Sequence, residues 1–362
     1  MTEDQAQLVA VARQFAERHL GYSGDPGGEA SGKPPYDLLD RLSSVGWTGL
    51  GVPEELGGNG GGVVEQCLVL EELGRVGCIS PLASAMVCAA GLAAHGDRRR
   101  ESLKTLVEGQ VIGTLASLDT AGADEWSFHP LLGSRDGDGW TLTGQVDLVP
   151  WGADADIMLC EARLDGLGRA VVQIRGAGLE GQARSTFGDE PRAKVSVDVA
   201  LSPHDVLAGN DDADLLVADL RRRAVLLQTA WAIGAAEKAL QLSVDYAKTR
   251  EQFGRAIATF QSVSHRCADM RLAIDGARLA LWESAWALDA ARADRDELVS
   301  VAKACSNEAF EVVIYNAHQV HGAIGYSMEY PLQRYTRILK SSQLTWGSTQ
   351  RHLDVVASAI GL

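Results

Sequence analysis

Within Tyr246-Ala247-Lys248-Thr249-Arg250-Glu251-Gln252-Phe253-Gly254-Arg255, a planar cation, an amide and an aromatic ring stand close together before a glycine. The guanidinium fork of Arg250 and the amide of Gln252 suit a pyrophosphate, and Phe253 offers a ring face. Gly254 lets the backbone turn there. Taken alone, Arg250 reads first as an ordinary solvated helix residue. Further on, Gln319, Gly322 and Ala323 allow close backbone approach near a helix end. Other candidates are weaker. His265, His318, His321 and His352 form no ligand cluster, so no metal is assigned. The run Gly57-Gly58-Asn59-Gly60-Gly61-Gly62 does not fit a phosphate-cradling pattern, because no strand clearly leads in and no Lys-Ser/Thr follows. A turn is expected there. Arg98-Arg99-Arg100 reads as a solvated face, and the eight tryptophans read mostly as core.

These residues need elements to position them. A chain of 362 residues exceeds one compact core and suggests two or three domains. Residues 1–112 read as helical, with stretches at Asp4–His19, Tyr36–Val45, after the glycine run through Leu73, Ala83–Ala94 and Arg98–Glu108. Residues 113–208 change to short alternating runs, Trp140–Val149, Ile157–Ala162, Ala170–Ile174 and Lys194–Val199, separated by Gly, Asp and Pro. An antiparallel β domain is expected. Residues 209–362 return to helices, with Leu216, Leu220, Ala224, Leu227, Trp231 and Gly234 on one face. Further stripes run through Phe260–Leu288, Leu298–Val320 and Gln333–Ser341, which predicts a bundle of four long helices. The class is α+β, mainly α.

A net charge of −15 argues against nucleic acid or an anionic membrane as partner. The N-terminus Met1-Thr2-Glu3-Asp4 lacks a signal-peptide pattern, and no apolar run spans a bilayer, so a cytoplasmic protein is expected. Cys67, Cys78, Cys88, Cys160, Cys267 and Cys305 form no C-x-x-C pair and read as reduced core thiols.

The Tyr246–Ile257 segment, with Phe260-Gln261 and Ala268-Asp269-Met270, resembles the helix–turn–helix segment of acyl-CoA dehydrogenases. Gln319-Val320-His321-Gly322-Ala323-Ile324-Gly325-Tyr326, with Glu329-Tyr330-Pro331, Arg334 and Arg337, resembles the family's second segment. Gly46–Leu50, Pro53-Glu54 and Glu71–Gly74 fit as well. The resemblance implies the family's α–β–α fold, FAD as cofactor and an acyl-CoA substrate. It also implies an electron-transfer flavoprotein or similar acceptor. It further implies that Arg250, Gln252, Phe253, Gln319, Gly322 and Ala323 reach a neighbouring subunit's FAD.

In this family a Glu takes the substrate's α-proton. Here that position reads Trp346, in Gln343–Thr349. Some relatives place the base near the start of the helix leading to the Arg-x-Gln-Phe-Gly motif, which corresponds to Ala224. Asp219 and Glu251 are the nearby acids, and Glu251 is a weak substitute. The flavin-holding stretches also depart, at Ser117–Thr120, Ala121–Asp124 and Leu148–Gly152, where Pro150 removes a hydroxyl and an N–H. Trp346 and Trp151 are exceptions to the core reading if each fills space that a flavin or acyl chain would otherwise occupy. The resemblance is thus to the non-catalytic subunit of actinobacterial heterotetrameric enzymes of the steroid side-chain type, α2β2 with a homologous partner. A homotetrameric dehydrogenase with a relocated base, a flavin monooxygenase or a non-catalytic acyl-CoA-binding protein are the alternatives.

Overall fold

Thr2 opens the first helix with a reciprocal cap. Its hydroxyl accepts from the Gln5 N–H at 3.2 Å, and the Gln5 side chain accepts from the Thr2 N–H at 2.9 Å. The computed structural model describes residues 1–20, 36–116 and 131–362. The readings of Ser117–Thr120 and Ala121–Asp124 lie outside the described residues. Five helices come first: α1 (Glu3–His19), α2 (Tyr36–Ser44), α3 (Val63–Arg75), α4 (Leu82–Ala93) and α5 (Arg100–Val107). The glycine run before α3 is a turn, as expected. The N-terminus of α3 is filled by the chain's own carboxylates. Glu65 accepts from the Gly62 N–H at 2.8 Å, and Asp289 accepts from the Val63 and Val64 N–H groups at 2.8 and 3.1 Å. Asp289 ends a helix far along the chain, so this cap also joins two distant elements. Asp289→Ala is expected to cost about 1 kcal/mol, the typical value for a lost cap. Thermal unfolding would register it, and an unchanged midpoint would show that water replaces the cap.

Eight strands form one sheet in the order β6-β7-β3-β2-β4-β5-β8, with β1 also on β4. They are β1 (Gly113–Ala116), β2 (Leu131–Asp136), β3 (Gly139–Pro150), β4 (Ile157–Leu164), β5 (Gly168–Arg175), β6 (Leu179–Arg184), β7 (Arg192–Leu201) and β8 (Val206–Gly209). The sheet is mixed, which corrects the antiparallel expectation: β1 and β2 run parallel to β4. They share one edge of β4 end to end, while β5 takes the other. Leu142, Val146, Met158, Cys160, Val172, Val195 and Val197 make the sheet's own core.

The chain then enters α6 (Asp211–Thr249), a hairpin of β9 (Glu251–Gln252) and β10 (Arg255–Ala256), α7 (Gln261–Asp289), α8 (Arg295–His321), α9 (Leu332–Gln343) and α10 (Thr349–Ala359). α6 crosses α3 at backbone distance. A Cβ on Gly234 would sit 1.8 Å from the Glu71 carbonyl oxygen, and one on Gly74 would sit 1.8 Å from that of Trp231. Arg278 of α7 ties this crossing to Glu71 at 2.6 Å and Glu237 at 3.0 Å.

The bundle has three long helices and two short ones, not four long ones. α9 stops because Trp346 and Gly347 take positive φ of 64° and 102°, after which Ser348 caps α10. The arginine run also departs from expectation: Arg99 is buried and donates to the Val206 carbonyl at 3.2 Å. Trp47, Trp140, Trp151, Trp231 and Trp346 are buried, but Trp286 is 54% exposed. Cys67, Cys78, Cys88 and Cys160 are buried free thiols, whereas Cys305 is exposed. Among the described residues no helix is long and apolar enough to cross a membrane, and no cluster of metal-ligating side chains occurs.

Candidate functional site

A left-handed backbone at a tryptophan is costly, and the residues around Trp346 hold it. His352 Nε2–H donates to the Trp346 carbonyl at 2.8 Å, Asn307 to that of Gly347 at 3.4 Å, and Gln343 to that of Asn307 at 2.5 Å. Lys303, fully buried on α8, donates to the Ser342 carbonyl at 2.6 Å. Burial pushes the lysine down to about 7 and the imidazole of His352 down to about 4.

This turn presents Trp346 to a cleft of about 350 Å³, counted with its open mouth. Ala83, Ser84 and Val87 come from α4, Leu115 from β1 and Pro150 from β3. Glu190 comes from the loop before β7 and Arg192 from its first position, and Ala224, Leu227 and Gln228 come from α6. Both positions to which the resemblance assigns a base, Trp346 and Ala224, therefore line one cavity. Neither can accept a proton. Pro150 brings no N–H, and its carbonyl accepts from the Thr114 hydroxyl at 2.6 Å. Trp151, a candidate to fill cleft space, instead packs on Leu39 and Ile112.

The one carboxylate among the lining residues is Glu190, which sequence reasoning missed. Arg192 holds it at 2.5 Å and also donates to the Leu148 carbonyl at 3.2 Å. Arg337 on α9 clamps the same loop through Asp189 and the Phe187 carbonyl. No motif marked Glu190, because only folding brings the loop before β7 against α6.

The other candidates lie elsewhere. Arg250, Gln252, Phe253, Gln319, Gly322 and Ala323 are all exposed, Phe253 at 93%. Arg250 closes α6, its N–H donating to the Tyr246 carbonyl at 2.8 Å, and its carbonyl accepts from the Ile257 N–H at 2.8 Å. Phe253 and Gly254 take positive φ at the hairpin tip. Gly322 ends α8 with φ 63°. Glu251 lies on this hairpin, away from the cleft, and Asp219 pairs with Arg223 at 2.7 Å. Arg250 follows Ala224 by 26 residues of helix, roughly 39 Å at 1.5 Å per residue. That span separates the cleft from the exposed turns.

The three-part arrangement of helices, central sheet and helical bundle is that of solved acyl-CoA dehydrogenase-fold structures. The ChsE4-ChsE5 complex from Mycobacterium tuberculosis matches with a TM-score of 0.86 at 27% identity, over 99% of this chain and 98% of that one. The Tcur3481-Tcur3483 steroid ACAD G363A variant matches with a TM-score of 0.85, also at 27%, over 99% and 98%. Profiles described as acyl-CoA dehydrogenase N-terminal and C-terminal domains match residues 2–110 and 223–361. The acyl-CoA dehydrogenase FadE27 of M. tuberculosis is 31% identical over 88% of this chain and 86% of its own length. The probable acyl-CoA dehydrogenase fadE25 of Mycobacterium leprae is 29% identical over 99% and 96%. The chain belongs to the acyl-CoA dehydrogenase family, whose cofactor is FAD.

Proposed function

We propose that this chain is the supporting subunit of a heteromeric, FAD-dependent acyl-CoA dehydrogenase. One observation carries the reading. The cleft that gathers both base positions holds Trp346 and Ala224, while the turns that the resemblance assigns to a neighbour's FAD stand exposed, the first of them at the other end of α6. The chain's own cleft fits the cofactor poorly. Trp346 occupies it, Pro150 offers neither N–H nor hydroxyl, and Arg192 and Glu190 satisfy each other. Much of its space is open mouth, which leaves little enclosed room for a flavin ring and an acyl chain side by side. The exposed turns fit. Arg250 and Gln252 supply a cationic fork and an amide for a pyrophosphate, Phe253 a ring face, and Gln319, Gly322 and Ala323 a close backbone approach.

Bound FAD supplies the acceptor for the hydride lost from the acyl thioester. This chain's part is to hold the dinucleotide end of a cofactor seated in its partner, whose own carboxylate takes the proton. The partner is a homologous subunit in an α2β2 assembly, and electrons leave to an electron-transfer flavoprotein or similar acceptor. The Tcur3481-Tcur3483 structure is described as a steroid ACAD, which supports a steroid or other bulky acyl group.

Native mass spectrometry of the chain, alone and with the dehydrogenase encoded nearest to it, tests the reading. The expected result is a mixed tetramer with two FAD and an apo chain alone. A homotetramer with four FAD would overturn it. That outcome is the second reading, a self-sufficient dehydrogenase with a relocated base, which Glu190 favours as the carboxylate facing the cleft.

A further inference from the structure

The hairpin after α6 and the turn after α8 are separated by the whole of α7 and α8 in sequence, yet three rings join them. Tyr246, one turn before Arg250, stacks on His321 with centroids 4.7 Å apart and planes 24° apart. Tyr330, beyond the second turn, lies 5.1 Å from the same imidazole. The hydrogen bonds fix its tautomer. Nδ1–H donates to the Ala317 carbonyl at 2.8 Å, so Nε2 accepts from the Tyr330 hydroxyl at 3.1 Å. The ring is 4% exposed and precedes Gly322, where the chain leaves α8. A second brace closes the turn: His318 stacks on Tyr326 at 4.4 Å and meets the Thr336 hydroxyl at 3.3 Å. Gly325 fits between them, since a Cβ there would lie 3.0 Å from His321 Cβ and 3.2 Å from His318 Nδ1.

We propose that His321 is a positioning residue that locks the Arg250–Gly254 hairpin to the Gly322–Tyr326 turn, so that the two exposed turns hold one fixed spacing. The imidazole is the shared surface: one face carries the last turn of α6, and one edge anchors the chain that returns from the Gly322 turn. Burial pushes His321 below the ordinary histidine value, against hydrogen bonds to the Ala317 and Leu242 backbone that raise it. Two halves of a dinucleotide site bind together only when their spacing is set beforehand; otherwise ordering them is charged against affinity. That consequence rests on the proposed function, but the coupling itself does not.

Amide exchange on the purified chain alone tests the coupling. His321→Leu removes both ring bonds, and Tyr330→Phe removes only the hydroxyl, which keeps the test usable if the first variant folds poorly. Exchange in residues 248–257 and 322–327 is expected to rise about tenfold in both variants, with α3 and β4 at wild-type rates. Acceleration confined to 322–330, or spread evenly over the chain, would overturn the proposal, because His321 would then brace only its own turn or the general core. In the mixed complex both variants should weaken FAD binding about tenfold while the tetramer persists; wild-type affinity would refute the link to the cofactor. If the wild-type chain forms no FAD-bearing complex, the functional reading fails and the exchange result still decides the coupling.

Discussion

Lys303→Met is expected to make the chain more stable than wild type at pH 7, with the difference shrinking as pH rises and reversed near pH 10.5, where only the lost hydrogen bond to Ser342 remains. Lys303 is fully buried, and burial alone lowers its amine from 10.5 to about 7. Its recorded hydrogen bond is to the Ser342 carbonyl, at the C-terminal end of α9, where a cation is mildly favoured. No carboxylate contributes to its shift. Between these values the unfolded chain carries a proton that the folded chain lacks, so stability rises with pH. The contribution is fully present above 10.5 and is lost as pH falls to about 7. The interval is worth roughly 5 kcal/mol, at 1.36 kcal/mol per pH unit. Methionine keeps much of the volume and removes the charge, but leaves the Ser342 carbonyl without that donor, which returns about 1–3 kcal/mol. The net gain at pH 7 is therefore expected to be a few kcal/mol. His352 does not interfere in this window, because its drop from 6.5 to about 4 withdraws stability only below pH 6.5. Buried Cys67, Cys78, Cys88 and Cys160 act in the opposite direction above pH 9, but cancel in the difference between the two proteins. Denaturant unfolding of both at pH 7, 8.5 and 10 gives the result. Parallel curves would mean that water or rearrangement already solvates the amine.

The case of Lys303 shows where sequence reading stops. In Val301-Ala302-Lys303-Ala304-Cys305 a lysine on a helix reads as solvated, and only the fold of α9 and the 342–347 turn over α8 buries it. The long helices were legible because their apolar stripes repeat over many turns. Four of the sheet's eight strands were not. β1 is short and buried throughout, β6 is almost wholly exposed with only Leu179 and Ala183 apolar beside a glycine, and neither gives the alternation that marks a half-buried strand. The parallel pairing of β1 and β2 with β4 is a long-range choice with no local signal. The same holds for Asp289 on α3 and for Glu190 in the cleft. Trp346 and Arg250 were legible for another reason. They sit inside ordered motif blocks, so a departure at Trp346 shows against the residues that agree. What the sequence left open was distance, and α6 supplies it by placing the two sets of residues at opposite ends of one helix.

That distance makes Arg250 the sharpest test of the proposed role. Arg250→Ala should lower the FAD affinity of the mixed complex roughly a hundredfold, while the isolated chain unfolds as wild type. The first number follows from losing charge-assisted hydrogen bonds to a phosphate, about 1.5–3 kcal/mol, where 1.4 kcal/mol is a factor of ten. The second follows from exposure: the side chain is solvated, and substitutions at such sites stay within about 0.5 kcal/mol. Arg250→Lys should fall between, because it keeps the charge and loses the planar fork. The same substitution read on two samples separates two ideas. If the Arg250 side chain merely supported the end of α6, the isolated chain would lose stability; the bonds to Tyr246 and Ile257 that end the helix and start the hairpin are backbone bonds, which alanine keeps. If Arg250 served a cofactor within its own chain, FAD would have to span the length of α6 between Ala224 and Arg250, longer than an extended dinucleotide. A loss seen only in the complex leaves the partner's FAD as what Arg250 meets. Full FAD occupancy in the Arg250→Ala complex would remove the exposed turns from the cofactor site and return the search to the cleft beside Trp346.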